Sequence, residues 1–438
     1  MPSPKSLSFS ITFIPLAIFI YCLIAYTINL PWLDDFEVGP YTLQQWLKTT
    51  EIEKKMNLIW VPNNEHRVIT LKLLVLFNYY VFDQFNIQWM IWQSHLYLIP
   101  LLYFIFKVLP EENRWLSFVI INLIYLSFQY TLASYWMIAA VQHNAVIGFG
   151  LISMYLLSKN KYFGVSIFFT FLACLSNSDG LFFIPIGTLI LLLQFNLKKT
   201  ITWVILLTSL IYILFQNYPS WNYHTNAIQF FFENPSKSFF GFFYFLGGYS
   251  DFFKSNSIPI RLYTTGIFGL FLVLFWGKLL FDFSKGSTQI KIKSWKNGTL
   301  LNSNVLFILS GLLFCLTNAL AISILRSEFG GYAYLIGNYR IYSVLALAFT
   351  ILMYFQQIHS YKKLIFISFM AIIFWGFSFY TYLPEIINRK NFLNQSYLDF
   401  KSNKDGLGFS AKQIKKNKIT EILNEFEKKG IYHPPKIK

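Results

Sequence analysis

Few side chains in this sequence can do chemistry, and those that can fall in short polar runs between long apolar ones. The first run is Asp34-Asp35, just beyond an apolar stretch and two residues after Trp32. Adjacent carboxylates repel each other, which raises the proton affinity of one of them. That suits a general base or a cation ligand, although a solvated loop with a carboxylate-capped turn would carry the same pair. The second run, Asn63-Asn64-Glu65-His66-Arg67, sets five hydrogen-bonding residues in front of an apolar segment. The third is Tyr135-Trp136 followed by Gln142-His143-Asn144, and the fourth is Ser176-Asn177-Ser178-Asp179-Gly180. A tight turn accounts for the Ser, Asn and Gly of the last run, but a turn does not need Asp179. A polar break at membrane depth is tolerated only where protein or water surrounds it.

Arginine is rare, with six residues among 36 Lys+Arg: Arg67, Arg114, Arg261, Arg326, Arg340 and Arg389. Arg67, Arg261, Arg326 and Arg340 fall at segment ends on the side expected to face outward. Guanidinium groups bind phosphate in a planar fork and keep their charge when desolvated. Four of them near an acidic pair suit an anionic, phosphate-bearing ligand, whereas snorkelling to lipid headgroups would need only their charge and reach.

The elements that must hold these residues follow from composition. The chain has 438 residues, 55% hydrophobic, 20% aromatic and only 13% charged. A soluble protein carries roughly 25% charged residues, so a water-soluble surface is excluded, and so is disorder. The expected fold is an all-α, polytopic transmembrane bundle. Candidate spans are 11–30, 67–86, 88–106, 115–133, 137–157, 162–177, 180–196, 200–216, 263–282, 304–325, 341–357 and 363–383. Residues 1–383 form the membrane domain and 384–438 a polar tail. In the first outer loop, 31–66, apolar residues spaced by three or four from Tyr41 to Trp60 predict an amphipathic helix on the membrane surface.

Lys159/Lys161, Lys198/Lys199, the run Lys285–Lys296 and Lys362/Lys363 set those loops in the cytoplasm. The loops 31–66, 217–262 and 326–340 then share the outer side, and so does the tail. With Lys5 inside, four crossings between residues 67 and 157 would put Lys159 on the wrong side. Either one segment fails to cross or one is missed, so an odd total of eleven or thirteen is expected. The net charge of +16 is read as topological; no nucleic-acid motif is present, so no nucleic-acid partner is expected. Cys22, Cys174 and Cys315 lie in apolar runs and suit neither a disulfide nor a zinc site.

Asp34-Asp35 after the first helix, Asn64-Glu65-His66-Arg67, Trp136 with Gln142, Ser178-Asp179-Gly180, and Arg326 through Gly330 to Tyr339-Arg340 together resemble the GT-C superfamily of multi-span glycosyltransferases. The likeness spans residues 9–345 and is closest to a poorly characterised bacterial branch. It implies transfer of a sugar from a polyprenyl-phosphate donor to a glycan or lipid acceptor, on the outer face of a bacterial cytoplasmic membrane. Asp35 or Asp34 would be the base, and Arg326 and Arg340 would hold the phosphate, with Glu65, His66, Arg67, Gln142, Asp179 and Tyr339 as further substrate contacts. No cofactor is required; a divalent cation at the Asp pair is an alternative without a ligand cluster to indicate it. The tail is too short for the large outer domain of oligosaccharyltransferases. A flippase or transporter of lipid-linked sugars, or a polysaccharide polymerase, are the competing expectations.

Overall fold

A computed structural model describes residues 4–63, 66–216, 227–254, 256–284, 301–358 and 360–436. The described residues form helices and turns without strands, as the sequence predicts. The chain enters through α1 (Pro4–Tyr26). The first loop folds into a π-helical turn, Glu37–Tyr41, followed by α2 (Thr42–Lys48) and α3 (Ile52–Trp60). Next come α4 (Ile69–Phe82), α5 (Ile87–Ser94), α6 (Leu98–Val108), α7 (Arg114–Tyr125), α8 (Thr131–Tyr135), α9 (Met137–Ser158), α10 (Phe163–Ser176) and α11 (Phe183–Leu193). They are followed by α12 (Leu197–Phe215), α13 (Ala227–Glu233), α14 (Pro235–Leu246), α15 (Ile258–Ser284), α16 (Ser303–Leu325), α17 (Arg340–Phe355), α18 (Tyr361–Lys401), α19 (Ala411–Lys416) and α20 (Ile419–Lys428). Six helical segments are long and apolar enough to cross a membrane, and shorter apolar helices pack among them.

Hydrogen bonds sort the helix ends into two faces. On one, Gln356 and Asn304 both donate to the Val108 carbonyl, Lys159 donates to Asn304, and Gln194 donates to the carbonyls of Leu157 and Ser158. Lys159, Lys198/Lys199 and Lys362/Lys363 belong to this face; Lys285–Lys296 lie outside the described residues. On the other face stand the first loop, Asn177–Gly180, the 326–340 loop and the tail.

Helix α4 resolves the parity conflict. At its start Lys72 donates to the carbonyls of Leu58 and Val61 in the first loop. Towards its end Trp46 donates to the Tyr80 hydroxyl. Just past it, Phe85 N–H donates to the Ile431 carbonyl and Ile87 N–H to Asn29 Oδ1. Both ends therefore stay with the first loop, and Leu73, Phe77, Tyr80 and Val81 are left exposed. This helix, apolar on nearly all sides, runs along one face and does not reach the other. Among the described residues, α1, α5–α6, α7–α8, α9, α10, α11, α12, α15, α16, α17 and α18 then run between the two faces, and six of these segments are long and apolar enough to cross a membrane.

Helix α14 enters from the loop face and turns back. Gly247, at its end, lies so close to α15 that a β-carbon would sit 1.8 Å from the Thr265 carbonyl oxygen. Only glycine allows that approach. The 41-residue α18 is far longer than the ~20 residues a bilayer needs. Its second half packs on the loop face, where Tyr382 and Ile386 are buried and Lys390 donates to the Ala25 carbonyl, and it carries the tail. The tail is therefore built into the loop face. Leu33 N–H donates to the Leu407 carbonyl, Tyr432 hydroxyl to the Asn29 carbonyl, and Gln44 to Glu425.

Candidate functional site

Between the outer ends of α9, α16 and α17, and under the first loop, lies a cavity of about 750 Å³. Asp34, His66, Gln142, Asp179, Arg326 and Tyr339 all line it. These residues come from five separate stretches of sequence. One wall is apolar, with Ala321, Ile322 and Leu325 of α16 facing Leu181 and Phe182. Leu325, at the end of α16, is exposed, so this wall opens onto the surface of the bundle. Beside Phe182, Phe183 turns inward and stacks on Phe314 with ring centres 4.2 Å apart.

The adjacent aspartates do different jobs. Asp35 is 1% exposed, and its two carboxylate oxygens accept from the backbone N–H groups of Trp32 (3.1 Å) and Ile138 (3.0 Å). It ties the loop to the first turn of α9 and does not line the cavity. Burial pushes its carboxyl up to about 7, against the lowering effect of those two bonds and of Arg389. Asp34 points into the cavity, and its carboxylate has no hydrogen-bond or ion-pair partner among the described residues. Burial holds it above the usual carboxylate range, which strengthens it as a proton acceptor.

Local backbone sets where Asp34 points. Leu33, the residue before it, adopts a left-handed conformation (φ 50) that costs a β-branched or leucine side chain energy. The tail holds it there: the Leu407 carbonyl accepts from Leu33 N–H at 3.1 Å. Gly408 (φ 87) packs against it so tightly that a β-carbon would lie 2.5 Å from the Leu33 side chain. Trp32 meets Trp136, a cavity residue, edge-on at 5.1 Å, and the Trp136 indole N–H donates to the Trp32 carbonyl.

Opposite Asp34, the Asn177–Phe182 turn and α17 supply a second polar group. Ser178 Oγ bonds His66 Nδ1 at 2.7 Å. Asn63 and His66 pair backbone to backbone, which turns His66 towards the cavity. Asp179 Oδ2 accepts from the Tyr342 hydroxyl at 2.6 Å and from Asn177 at 3.4 Å. Tyr342 also meets His143 Nδ1 at 2.7 Å. Arg326, just past the end of α16, is the cavity's guanidinium and lies 5.5 Å from the Phe329 ring centre.

The remaining expectations separate from this cavity. Glu65 lies outside the described residues. Arg67 is buried and turns away, donating to the carbonyls of Trp60 and Gln216. Arg340 does not join Arg326 across the short loop. Its guanidinium is sealed in a cluster with Asp251 (2.7 Å), to which Arg261 binds in a bidentate fork at 2.6 and 2.8 Å. It also donates to the carbonyls of Gln129 and Leu335 and lies 5.3 Å from the Tyr382 ring centre. Burial alone would raise the Asp251 carboxyl, but the Arg261 hydrogen bond and both guanidinium charges hold it below the usual range. Nearby, Lys254 pairs with Glu385 at 2.8 Å.

Sequence reasoning placed Asn63 and His143 in its polar runs without choosing them as site residues, and it did not single out Asn338, Tyr342 or Asp251. Tyr339 and Tyr342 stand three apart at the start of a helix, which puts them on neighbouring faces, and that spacing was the available signal for Tyr342. Asp251 had no local signal, because its partners are brought in by the re-entrant turn. Among the described residues no group of three or more His, Cys, Asp or Glu side chains is arranged to hold a metal ion. Comparison with known proteins found no matching family model, no matching curated protein and no matching solved structure.

Proposed function

We propose that the chain is a membrane glycosyltransferase that moves a sugar from a polyprenyl-phosphate donor to a glycan or lipid acceptor at the loop face. The carrying observation is one cavity that holds a carboxylate without a partner among the described residues, Asp34, a guanidinium, Arg326, and an apolar wall that opens onto the surface of the bundle. Such a donor has three parts: an apolar chain, a phosphate and a sugar. The α16 wall suits the chain, Arg326 suits the phosphate and the polar side from Asn63 to Tyr339 suits the sugar. Asp34 accepts the proton of the acceptor hydroxyl as its oxygen attacks the anomeric carbon. The bond from that carbon to the phosphate oxygen breaks, and Arg326 stabilises the charge that grows on the phosphate. Because the donor arrives through the membrane, no nucleotide-binding domain is required.

The stacked aromatic layer beside the cavity also favours an enzyme over a carrier, which would need a path to the opposite face. Mass spectrometry of lipids that co-purify with the protein tests the reading. Polyprenyl-phosphate species are expected with wild type and depleted with Arg326→Met. Recovery of bulk phospholipid alone, unchanged by that substitution, would remove the donor assignment.

A further inference from the structure

The polar side of the cavity contains hydrogen-bond acceptors without donors. Tyr342 has one hydroxyl hydrogen, and it goes to Asp179 Oδ2 at 2.6 Å, since a carboxylate only accepts. The 2.7 Å contact between Tyr342 and His143 Nδ1 then needs its hydrogen from the imidazole. His143 is therefore the tautomer with hydrogen on Nδ1, and its Nε2 carries a lone pair. That nitrogen faces Asn338 Nδ2 at 3.5 Å, a long contact that leaves room for a better donor. The relay also fixes the Asn338 amide, because the reversed amide would set its oxygen against the Nε2 lone pair. With that orientation Asn338 Oδ1 is buried and has no partner. Asn63, 6% exposed, likewise buries an Oδ1 with no partner. His143, Asn338 and Asn63 all line the cavity.

Unpaired buried acceptors are costly and rare in native proteins. Two of them, Asn338 Oδ1 and Asn63 Oδ1, beside a third acceptor that holds only a 3.5 Å donor, His143 Nε2, call for a ligand that brings several O–H donors. We propose that His143 Nε2, with Asn338 Oδ1 and Asn63 Oδ1, is a hydroxyl-binding subsite for a pyranose ring, and that Tyr342 and Asp179 are positioning residues that keep Nε2 an acceptor. This rests on the glycosyl-transfer reading for its location in the sugar part of the cavity. Its own content is that the sugar is held through donated hydroxyl hydrogens on the α9–α17 side. A site of this kind rejects a fluorine in place of the hydroxyl as strongly as it rejects a hydrogen, because fluorine cannot donate. A subsite made of donors would tolerate fluorine.

Nitrogen-15 NMR of histidine-labelled protein in nanodiscs tests this, with His143→Gln identifying the resonance. The wild-type Nε2 shift is expected to be that of an unprotonated nitrogen at neutral pH. Tyr342→Phe, which keeps the ring and removes the hydroxyl, is expected to let both tautomers appear. The probes are the 1-phosphates of glucose, galactose, mannose and N-acetylglucosamine, with inorganic phosphate as the control. At least one sugar phosphate should move the Nε2 resonance, and inorganic phosphate should leave it in place. A protonated Nε2 in wild type, no response to any of the four, or an equal response to inorganic phosphate would each overturn the proposal. None of these readouts needs turnover. Failure of transfer in an activity assay would therefore strike the glycosyl-transfer reading and leave this one standing.

Discussion

Arg326 and Arg340 lie fourteen positions apart in sequence, at the two ends of one short loop, and they live in opposite worlds. Arg326 lines an open cavity together with Asp34, whose carboxylate has no partner among the described residues. Arg340 is 1% exposed and shares Asp251 with Arg261 in a sealed cluster. A buried charge stays charged only where partners replace the water it loses. In the sealed cluster each charge already faces an opposite charge. The open cavity holds buried acceptors, Asn63 Oδ1 and Asn338 Oδ1, without a donor among the described residues. Unmet capacity is a better mark of function than charge itself.

The largest effect expected from this contrast is at Asp34. Asp34→Asn should lower turnover of a polyprenyl-phosphate sugar in nanodiscs by about 10²–10⁴-fold, the usual worth of a general base. Its thermal unfolding midpoint should stay at the wild-type value. A stability loss with intact turnover would reverse the roles of the two regions.

Arg340→Met belongs to the other region. It should cost about 3 kcal/mol of stability, because Asp251 keeps only one of its two guanidinium partners in a dry site. Denaturation in mild detergent would show it, and a wild-type midpoint would mean that the cluster is not holding the re-entrant turn to α17. Arg326→Lys should leave the midpoint alone and weaken donor binding by roughly ten- to a hundredfold, since lysine keeps the charge and loses the planar fork. Wild-type binding would return Arg326 to headgroup anchoring.

The smallest effect sharpens the split between the adjacent aspartates. The folded pKa of Asp35 is raised to about 7 from 3.8, so the native state holds a proton that the unfolded chain releases. Stability from this group is present below pH 4 and is lost as the pH rises through about 7, by at most about 1.4 kcal/mol per pH unit. Asp34 and Glu37 are raised too and act in the same direction. Asp35→Asn should flatten the difference in midpoint between pH 5 and pH 8. It should also lower the midpoint at every pH, because one amide oxygen cannot serve both Trp32 and Ile138. An unchanged pH dependence would show that the buried carboxyl is not what titrates.

Much of this was legible in the sequence. The apolar runs, the lysine-bearing loops and the parity conflict followed from periodicity and charge alone. The conflict itself left open a segment that does not cross or one that is missed, and choosing α4 required its hydrogen bonds to the first loop and to the tail. Asp34, His66, Gln142, Asp179, Arg326 and Tyr339 were chosen from local sequence and share a cavity. Arg67 and Arg340 were chosen by the same rule and do not. Residue type and boundary position are the same for Arg326 and Arg340; what differs is Asp251, ninety residues upstream and delivered by a re-entrant turn. The Asp34-Asp35 pair shows the same limit at shorter range, because a single left-handed residue decides which carboxylate meets the backbone and which meets the cavity.

That left-handed residue has a consequence for how the protein is made. Leu33 is held by Leu407 and Gly408, which the ribosome delivers long after the first helix has entered the membrane. Until then the loop that carries Asp34 lacks its last support, and a nascent or prematurely terminated chain exposes an incomplete cavity. On the glycosyl-transfer reading, a protease cut in the tail would therefore lower turnover while leaving the helices of the bundle intact.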